Sequence, residues 1–435
     1  MMTDEAGGRT VGFSRRQFTR SSGGLGLATA TVGFPVPLRS QARGRVVVIG
    51  GGAGGATCAR YLAKDGQGVL AVTLVEEQPR YTTCFYSNLY LAGWRDFDSI
   101  AHGYDGLEAA GVEIAPMRAV GVDPVAKSVR LEGGEMLTYD RLVVAPGIDL
   151  DYDSIERYSE QTAEIMPHSW KGGVQTKLLR SQLQAMPNGG LFVITAPPDP
   201  YRCPPGPYER ASLVAYYFTQ TKPKSKILIL DAKDSFSKQA LFEEAWNTYY
   251  KGMIEWVPGE FGGTVASVDP KGMTITSAAG DVHEADVANV VPAQEAGRIA
   301  HEAGLVDGGG WCPIVPASMR AQNQSDIFVL GDAAIASPMP KSAFSANSQA
   351  KVVAMTIRSE LTGSRSFPAR YRNTCWSSLA PDDTVKLGAN YEPGEDKIES
   401  VDPFISKVGE SRDMRMKNRQ EADAWYDSIT ADIFG

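Results

Sequence analysis

The stretch Arg45–Gly55, RVVVIGGGAGG, decides the fold of this chain. Its first part, Val46–Ile49, is a short apolar and β-branched run of the kind that forms a buried parallel strand. The run leads into Gly50, Gly52 and Gly55, which form the pattern G-x-G-x-x-G. In such a unit the first glycine makes the turn, the second lets the backbone approach a pyrophosphate, and the third lets the next helix pack on the strand.

A helix, a second strand and an acidic residue complete this unit. Ala56–Lys64 is typical of a helix, and its N-terminus would offer unpaired N–H groups to phosphates. The apolar run Leu70–Val75 ends at Glu76, about 20 residues after the glycines, where an acid commonly holds a ribose hydroxyl. The combination predicts a bound dinucleotide, with a ligand-free glycine-rich turn as the alternative. Glu76 alone leaves both FAD and NAD open.

Two later motifs favour FAD. The apolar run Ile327–Leu330 is followed by Gly331 and Asp332. It resembles the second FAD motif of the two-dinucleotide-domain flavoproteins, where the aspartate binds the ribityl chain. Leu142–Gly147 resembles the intermediate strand-and-turn motif of the same proteins. Three motifs in the right order are more specific than any one of them, so we predict FAD.

Length and composition exclude several classes of protein. The 435 residues suggest two to four domains, with 43% apolar residues, 22% charged residues and no apolar run long enough to span a membrane. The formal net charge of −8 argues against nucleic acid or an anionic membrane as a partner. No metal-site spacing occurs, so we predict no metal. The four scattered histidines, to which we assign no role, are His102, His168, His283 and His301.

The first 42 residues have the features of an export signal. Ser14–Phe18, SRRQF, is a twin-arginine pattern, and a weakly apolar stretch, Gly23–Leu38, follows it. Ser40-Gln41-Ala42 is a small-residue cleavage site. We therefore expect a signal peptide over 1–42 and a periplasmic location reached by the twin-arginine route, which exports folded proteins. A disordered basic tail is the alternative.

The resemblance to the two-dinucleotide-domain flavoproteins implies an α/β fold with two Rossmann-like dinucleotide-binding domains and a C-terminal α+β interface domain. The predicted ranges are 43–150 and 295–363 for a discontinuous FAD-binding domain, 151–294 for the second Rossmann-like domain, and 364–435 for the interface domain.

The second Rossmann-like domain departs from the usual pattern after its first strand. That strand, Leu191–Thr195, runs into Ala196-Pro197-Pro198-Asp199-Pro200 and not into glycines. Proline has no N–H group and cannot build a phosphate-binding turn. We therefore expect no nicotinamide site, so that electrons must leave to another acceptor.

The cysteine pattern excludes two kinds of redox motif. No C-x-x-C and no C-x-x-C-H occurs, so the chain has no thioredoxin-like motif and attaches no c-type haem. Cys58 lies on the first predicted helix and is expected to be an inert core thiol. Cys312, between Trp311 and Pro313, is expected to be structural. The remaining cysteines are Cys84, Cys203 and Cys375.

The segments around these three cysteines carry a resemblance to a known family. They read YTTCFYSN, YRCPPGPYER and NTCWS, and the chain resembles the flavoprotein subunit of flavocytochrome c sulfide dehydrogenase over nearly its whole length. The resemblance implies that Cys84 carries FAD through a thioether. It implies that Cys203 and Cys375 form a redox-active disulfide beside the flavin, with Glu209 nearby. Trp425, in AWY, matches an aromatic residue near the ring.

Each of these assignments has a plainer alternative. A Cys203–Cys375 disulfide could be a structural staple between two domains. Cys84 could be a free buried thiol, and Glu209 could simply favour the start of its helix, although burial would make it a base. Lys341 begins a predicted helix after Asp332, so that it or the helix N-terminus could face the pyrimidine edge of the flavin; otherwise Lys341 is a surface lysine.

The resemblance implies a sulfide:cytochrome c oxidoreductase. Hydrosulfide would attack the disulfide, and electrons would pass through FAD to a c-type cytochrome subunit that carries the haem, and then to a soluble cytochrome c. A sulfide:quinone oxidoreductase is the alternative, but the strongly polar segment 407–423 counts against membrane insertion. A redox-inert FAD-binding carrier is the third possibility.

Overall fold

The structure, a computed structural model, describes residues 44–435, and the predicted signal peptide over 1–42 lies outside the described residues. Up to residue 151 the elements are β1 Gly44–Ile49, α1 Ala53–Gly66, β2 Leu70–Val75, β3 Tyr81–Thr82, α2 Ser87–Leu91, β4 Ala101–His102, α3 Asp105–Ala109, β5 Glu113–Ala115, β6 Ala119–Asp123, β7 Ser128–Leu131, β8 Met136–Thr138, β9 Arg141–Val144 and β10 Ile148–Asp151.

The middle of the chain follows the same alternation of strands and helices. Its elements are α4 Val174–Ala185, β11 Leu191–Ala196, α5 Gly206–Thr221, β12 Lys226–Asp231, α6 Gln239–Tyr249, β13 Ile254–Val257, β14 Val265–Asp269, β15 Thr274–Ser277, β16 Val282–Glu284, β17 Val287–Asn289 and β18 Ala293–Ala296. The last part contains α7 Arg298–Glu302, β19 Ile314–Val315, β20 Arg320–Ala321, β21 Ile327–Val329, α8 Ala343–Thr362, β22 Tyr371–Ala380, β23 Asp383–Pro393, β24 Ile398–Ile405 and α9 Arg412–Phe434.

The first sheet has seven strands in the order β19-β20-β21-β9-β1-β2-β5, and β21, β9, β1, β2 and β5 run parallel. Strand β1 is the middle one of the five parallel strands and carries the apolar run Val46–Ile49, whose residues are at most 5% exposed. Helix α1 packs on β1 and β2, and α8 packs against α1. Two separated stretches of chain therefore build this sheet. We call the sheet, together with α1 and α8, the first unit.

The second sheet is smaller and wholly parallel, with the strand order β13-β12-β11-β17. Helix α5 packs on β11 and β12. We call this sheet, its helices and the antiparallel sheet β14-β15-β16 the second unit. The antiparallel pair of β10 and β18 lies at the two points where the chain passes between the units.

The C-terminal layer consists of the antiparallel sheet β22-β23-β24 and helix α9, which packs on β23. Strand β22 packs against α5 of the second unit and α8 of the first. The arrangement confirms the predicted α/β fold with two Rossmann-like sheets and a C-terminal α+β layer. Within 44–435, no helix combines the length and the apolar character needed to cross a membrane.

Candidate active site

The glycine turn after β1 has the geometry that its sequence predicts. Gly50 has φ +100°, a conformation that L side chains rarely adopt, and a Cβ on it would collide with the Ala145 carbonyl oxygen. A Cβ on Gly55 would collide with the Gly50 carbonyl oxygen. Gly52 is the N-cap residue of α1 and supplies no side-chain hydrogen bond. The first N–H groups of α1 are therefore left for a ligand.

A cavity of about 240 Å³ extends from this turn and is lined by the first unit, the second unit and the C-terminal layer. Of the residues that the sequence proposes for the site, Gly55 and Lys341 do not line the cavity. Those that do are Gly50, Gly52, Glu76, Cys84, Cys203, Glu209, Gly331, Asp332, Cys375 and Trp425. The fold thus brings together residues that lie up to 375 positions apart (50 and 425 in the chain).

Glu76 lies at the end of β2 and reaches back to the glycine turn. Its Oε2 accepts a hydrogen bond from the Gly51 N–H (2.8 Å), and its Oε1 accepts one from the Gln78 N–H (2.9 Å). The Tyr104 hydroxyl donates to the Gly51 carbonyl oxygen (3.2 Å) and supports the same turn. The carboxylate is therefore fixed beside the position of a dinucleotide.

Asp332 presents one unsatisfied oxygen in the cavity wall. Its Oδ2 accepts from Arg202 Nε (2.6 Å), whereas its Oδ1 is buried and has no hydrogen-bond partner within residues 44–435. Gly331 has φ +76° and donates its N–H to Gln349 Oε1 (2.7 Å), which fixes the backbone beside Asp332. A buried acceptor without a partner is costly, and a hydroxyl of a bound polyol chain would satisfy it. This site fits the ribityl chain of FAD.

The side chain of Lys341 does not occupy the predicted place. Its Nζ donates to the carbonyl oxygens of Asp332 (2.6 Å) and Ala334 (3.1 Å) and lies 3.6 Å from the centre of the Trp311 ring. Burial lowers its pKa to about 8. Because two backbone acceptors and an aromatic face hold the ammonium group, it does not line the cavity. The start of α8, at Ser342–Phe344, lines it instead.

Cys203 and Cys375 reach the cavity from different parts of the fold. Cys203 has φ +58°, donates its N–H to the Lys341 carbonyl oxygen (2.9 Å) and accepts at its own carbonyl from the Gly206 N–H (2.8 Å). Cys375 lies on β22. Both are free thiols in the structure, and burial raises the pKa of each. Their pairing in a disulfide stays a prediction.

Glu209, in the first turn of α5, is held at both carboxylate oxygens. Oε2 accepts from Asn88 Nδ2 (2.9 Å), and Oε1 accepts from the Ser378 N–H (2.8 Å). Burial raises the pKa of this carboxyl. A buried glutamate beside two thiols can act as a proton acceptor or donor for them.

Several functional contacts were missed by reasoning from the sequence. Asn88 Oδ1 accepts from Nε of the buried Arg210 (3.0 Å), so that this arginine orients the amide that holds Glu209. Arg202 pairs with Asp332, and Lys238 approaches Cys375. Asn88 and Arg202 lie within the cysteine segments, and this position was the only feature of the sequence that could have indicated a role in the site. Lys238 lies outside them.

Aromatic rings form one wall of the cavity. Trp425 of α9 is stacked on Phe344 with ring centres 6.0 Å apart and an interplanar angle of 7°. Trp376 and Phe85 lie at centre distances of 5.3 and 5.8 Å from Trp425. All four rings line the cavity. A planar, largely apolar ligand such as an isoalloxazine ring fits such a wall.

The remaining cysteines and histidines lie elsewhere. Cys58 and Cys312 are fully buried, and burial raises the pKa of the Cys312 thiol to about 12. His102 stacks on the Phe434 ring with centres 5.0 Å apart. The described part of the chain contains no group of three or more His, Cys, Asp or Glu residues placed to hold a metal ion.

Three family models match successive parts of the chain. Residues 44–161 match the pyridine nucleotide-disulphide oxidoreductase model. Residues 176–292 match the central part of the sulfide dehydrogenase [flavocytochrome c] flavoprotein chain, and residues 368–434 match the flavin-binding part of flavocytochrome c sulphide dehydrogenase.

Individual relatives agree with these matches. The flavoprotein chain of sulfide dehydrogenase [flavocytochrome c] from Chlorobaculum thiosulfatiphilum is 52% identical over 44 residues, which are 10% of this chain and 90% of that sequence. The mitochondrial sulfide:quinone oxidoreductase of Mus musculus is 24% identical over 66% of this chain and 65% of its own length, just under two thirds.

A solved structure shows the same fold. The sulfide:quinone oxidoreductase of the hyperthermophilic bacterium Aquifex aeolicus superimposes with a TM-score of 0.68 at 20% identity, covering 89% of this chain and 92% of that one. The likeness extends across both units and the C-terminal layer.

Proposed function

Since this chain belongs to the family of the flavoprotein chain of flavocytochrome c sulfide dehydrogenase, we propose that it is an FAD-dependent sulfide dehydrogenase subunit that passes electrons to a c-type cytochrome. One observation carries the proposal. Cys203 of the second unit and Cys375 of the C-terminal layer line the same cavity as the glycine turn of the first unit.

The residues of the cavity suit FAD. The glycine turn and the uncapped start of α1 would hold the pyrophosphate, Glu76 the ribose, and Asp332 Oδ1 a ribityl hydroxyl. Cys84 lies in the same cavity and is the proposed covalent anchor. Bound FAD would supply a two-electron acceptor; all other parts of the mechanism belong to the chain's own residues.

The paired cysteines would perform the sulfur chemistry. In the oxidised enzyme Cys203 and Cys375 form a disulfide, and hydrosulfide attacks one of its sulfurs. A new S–S bond forms, the old one breaks, and the products are a persulfide on one cysteine and a thiolate on the other. Where hydrogen sulfide enters, its proton passes to Glu209, whose raised pKa suits a base.

The sequence supports an electron acceptor outside this chain, because it contains no second redox motif. The chain has no C-x-x-C-H haem motif, and a proline-rich loop stands where a nicotinamide site would begin. We therefore propose a c-type cytochrome subunit as partner, a soluble cytochrome c downstream, and a periplasmic location reached by the twin-arginine signal.

A second candidate function, sulfide:quinone oxidoreductase, is favoured by one observation. Apolar side chains around the end of β24 and the start of α9 are exposed by 40–60%: Phe404, Ile405, Val408, Met414 and Met416. Such a group could lie against a membrane surface, where quinone is found. The same segment carries the charged side chains of Lys407, Glu410 and Arg412, for which reason we rank this function second.

An anaerobic titration with sulfide tests the proposal. Sulfide should bleach the flavin absorbance of the wild-type holoprotein, and a soluble cytochrome c should restore it faster than decylubiquinone. Cys203→Ser and Cys375→Ser should abolish bleaching, whereas Cys58→Ala, a buried thiol outside the cavity, should leave it unchanged. Bleaching in both serine variants would refute the disulfide mechanism. Restoration by quinone alone would select the second candidate.

A further inference from the structure

Lys238 links the second unit to the strand that carries Cys375. It is the residue before α6, has φ +66°, and its side chain is 6% exposed. Its Nζ donates to Ser377 Oγ (2.7 Å) and to the Cys375 carbonyl oxygen (3.3 Å), and it lies 3.8 Å from Cys375 Sγ. All three acceptors belong to β22.

The charge of this ammonium group lacks a carboxylate partner. Within the described residues, its hydrogen-bond partners are a hydroxyl, a carbonyl oxygen and a thiol, and it forms no ion pair within 4.0 Å. The charges of Glu209 and Lys238 influence each other, but the Glu209 oxygens accept hydrogen bonds from Asn88 and Ser378 and form no ion pair with Lys238 within 4.0 Å. Burying a cation without an anion beside it carries a free-energy cost. Ionisation of Cys375 would remove that cost.

We propose that Lys238 is the counter-cation of a Cys375 thiolate and thereby makes Cys375 the leaving group when hydrosulfide attacks the disulfide. The inference rests on the proposed function and deepens it, since it assigns the two cysteines different roles. Hydrosulfide bonds to Cys203 Sγ, the S–S bond breaks, and its electron pair goes to Cys375 Sγ beside the ammonium group. The persulfide remains on Cys203, and the two electrons on Cys375 are available for the flavin.

The charged groups around the two thiols also favour Cys375 as the cysteine that ionises. Burial raises the pKa of both thiols, and the charge of Glu209 raises both further. At Cys203 the charges of Cys375 and Cys84 also raise the pKa, and Lys238 has the weakest influence, lowering it. At Cys375 the strongest opposing influence is Lys238, through both its charge and its hydrogen bond. The titratable groups that face Cys375 are Lys238 from the loop before α6, Glu209 from α5, Cys203 from its loop, and Tyr391 from β23.

The experiment measures ionisation of Cys375 directly. In the Cys203→Ser holoprotein, iodoacetamide alkylation of Cys375 is followed by mass spectrometry as a function of pH, and the midpoint of the profile is compared between variants. Lys238→Met should move the midpoint upward by one pH unit or more, so that the rate at neutral pH falls about tenfold. Lys238→Arg should restore most of the shift. Ser377→Ala, which keeps the ammonium group, should change the midpoint little.

An unchanged midpoint in a folded Lys238→Met holoprotein would overturn the inference. Where that variant does not fold, Lys238→Gln keeps a hydrogen-bonding side chain without the charge and carries the same expectation. The proposed function is judged separately, by bleaching of the wild-type flavin with sulfide. A shifted midpoint without bleaching supports the thiolate pairing and refutes the function, whereas bleaching with an unshifted midpoint refutes only the role of Lys238.

Discussion

The two Rossmann-like sheets of this chain share an architecture but end their first strands differently. In the first unit, β1 ends in the glycine turn that begins at Gly50, and α1 begins without a side-chain cap. In the second unit, β11 ends at Ala196, and two prolines, Pro197 and Pro198, follow. The first arrangement offers N–H groups to phosphates, and the second presents Cys203 to the cavity.

The acids at the ends of the second strands differ as well. Glu76 lines the cavity, whereas Asp231 at the end of β12 is fully buried. Asp231 Oδ1 accepts from Lys233 Nζ (2.7 Å), and its Oδ2 accepts from Trp256 Nε1 (2.9 Å) and from the Tyr208 hydroxyl. The acid that would hold a ribose in a nucleotide site is used here for internal packing. The same fold therefore supplies a cofactor site in the first unit and a cysteine scaffold in the second, because the residues that follow the first and second strands differ.

Gly55→Leu should have the largest effect on flavin content, because it disrupts the glycine turn itself. Its side chain would collide with the Gly50 carbonyl oxygen, so the protein should accumulate without FAD or not fold. Flavin absorbance per protein is the measurement. Gly68→Asn is the control, since Gly68 has φ +77° and a Cβ there meets no atom within 4 Å. Wild-type flavin content in Gly55→Leu would show that the turn is not the binding site.

Cys84→Ser should separate binding of the flavin from its attachment. After acid precipitation the flavin should stay with the wild-type protein and be released from the variant, which should still bind FAD through the glycine turn. Cys58→Ala lies on α1 in the same unit and should keep its flavin attached. Flavin that remains on the precipitated Cys84→Ser protein would refute this attachment site.

Asp231→Asn should affect the second unit without affecting FAD. It removes the buried charge that pairs with Lys233, a change that typically costs about 3–5 kcal/mol. The free energy of unfolding in urea should fall by this order, while flavin content per folded protein should not change. Glu284→Gln, at an exposed site, is the control. Loss of flavin in Asp231→Asn would show that the two units are not independent in this respect.

The glycine turn was predictable from sequence because strand, turn and helix are adjacent in the chain and each follows local rules. The contacts of Asn88 with Glu209 and of Lys238 with Cys375 were not, since they join residues 121 and 137 positions apart. Their side chains take on a role only when α2, α5, α6 and β22 meet. Lys341 illustrates the converse: its position in sequence suggested the flavin, but Trp311 and two carbonyl groups hold it elsewhere.

At neutral pH the smallest effect is expected at His168, behind the cysteine loop of the second unit. His168 is 5% exposed, and its Nδ1 accepts from the Trp170 N–H (3.0 Å), while Trp170 Nε1 donates to the Arg202 carbonyl oxygen (3.1 Å). Burial lowers the pKa of the imidazole to about 3, against about 6.5 in the unfolded chain. Between these values the unfolded chain binds one more proton than the folded chain. The contribution of His168 to the free energy of unfolding is therefore complete above pH 6.5 and is lost as the pH falls toward 3.

The loss amounts to at most about 1.4 kcal/mol for each pH unit below 6.5. His168→Asn keeps an acceptor for the Trp170 N–H but cannot be protonated, so its free energy of unfolding should fall less steeply with acid than that of the wild type. Subtracting the free energy of unfolding of the variant from that of the wild type at each pH removes the contribution of the carboxylates, because these titrate in both proteins. His283→Asn is the control and should follow the wild type. If the free energy of unfolding of His168→Asn and of the wild type fell equally with acid, protonation of the imidazole would carry no cost. The hydrogen bonds around Trp170 would then not hold His168 in its buried, neutral form.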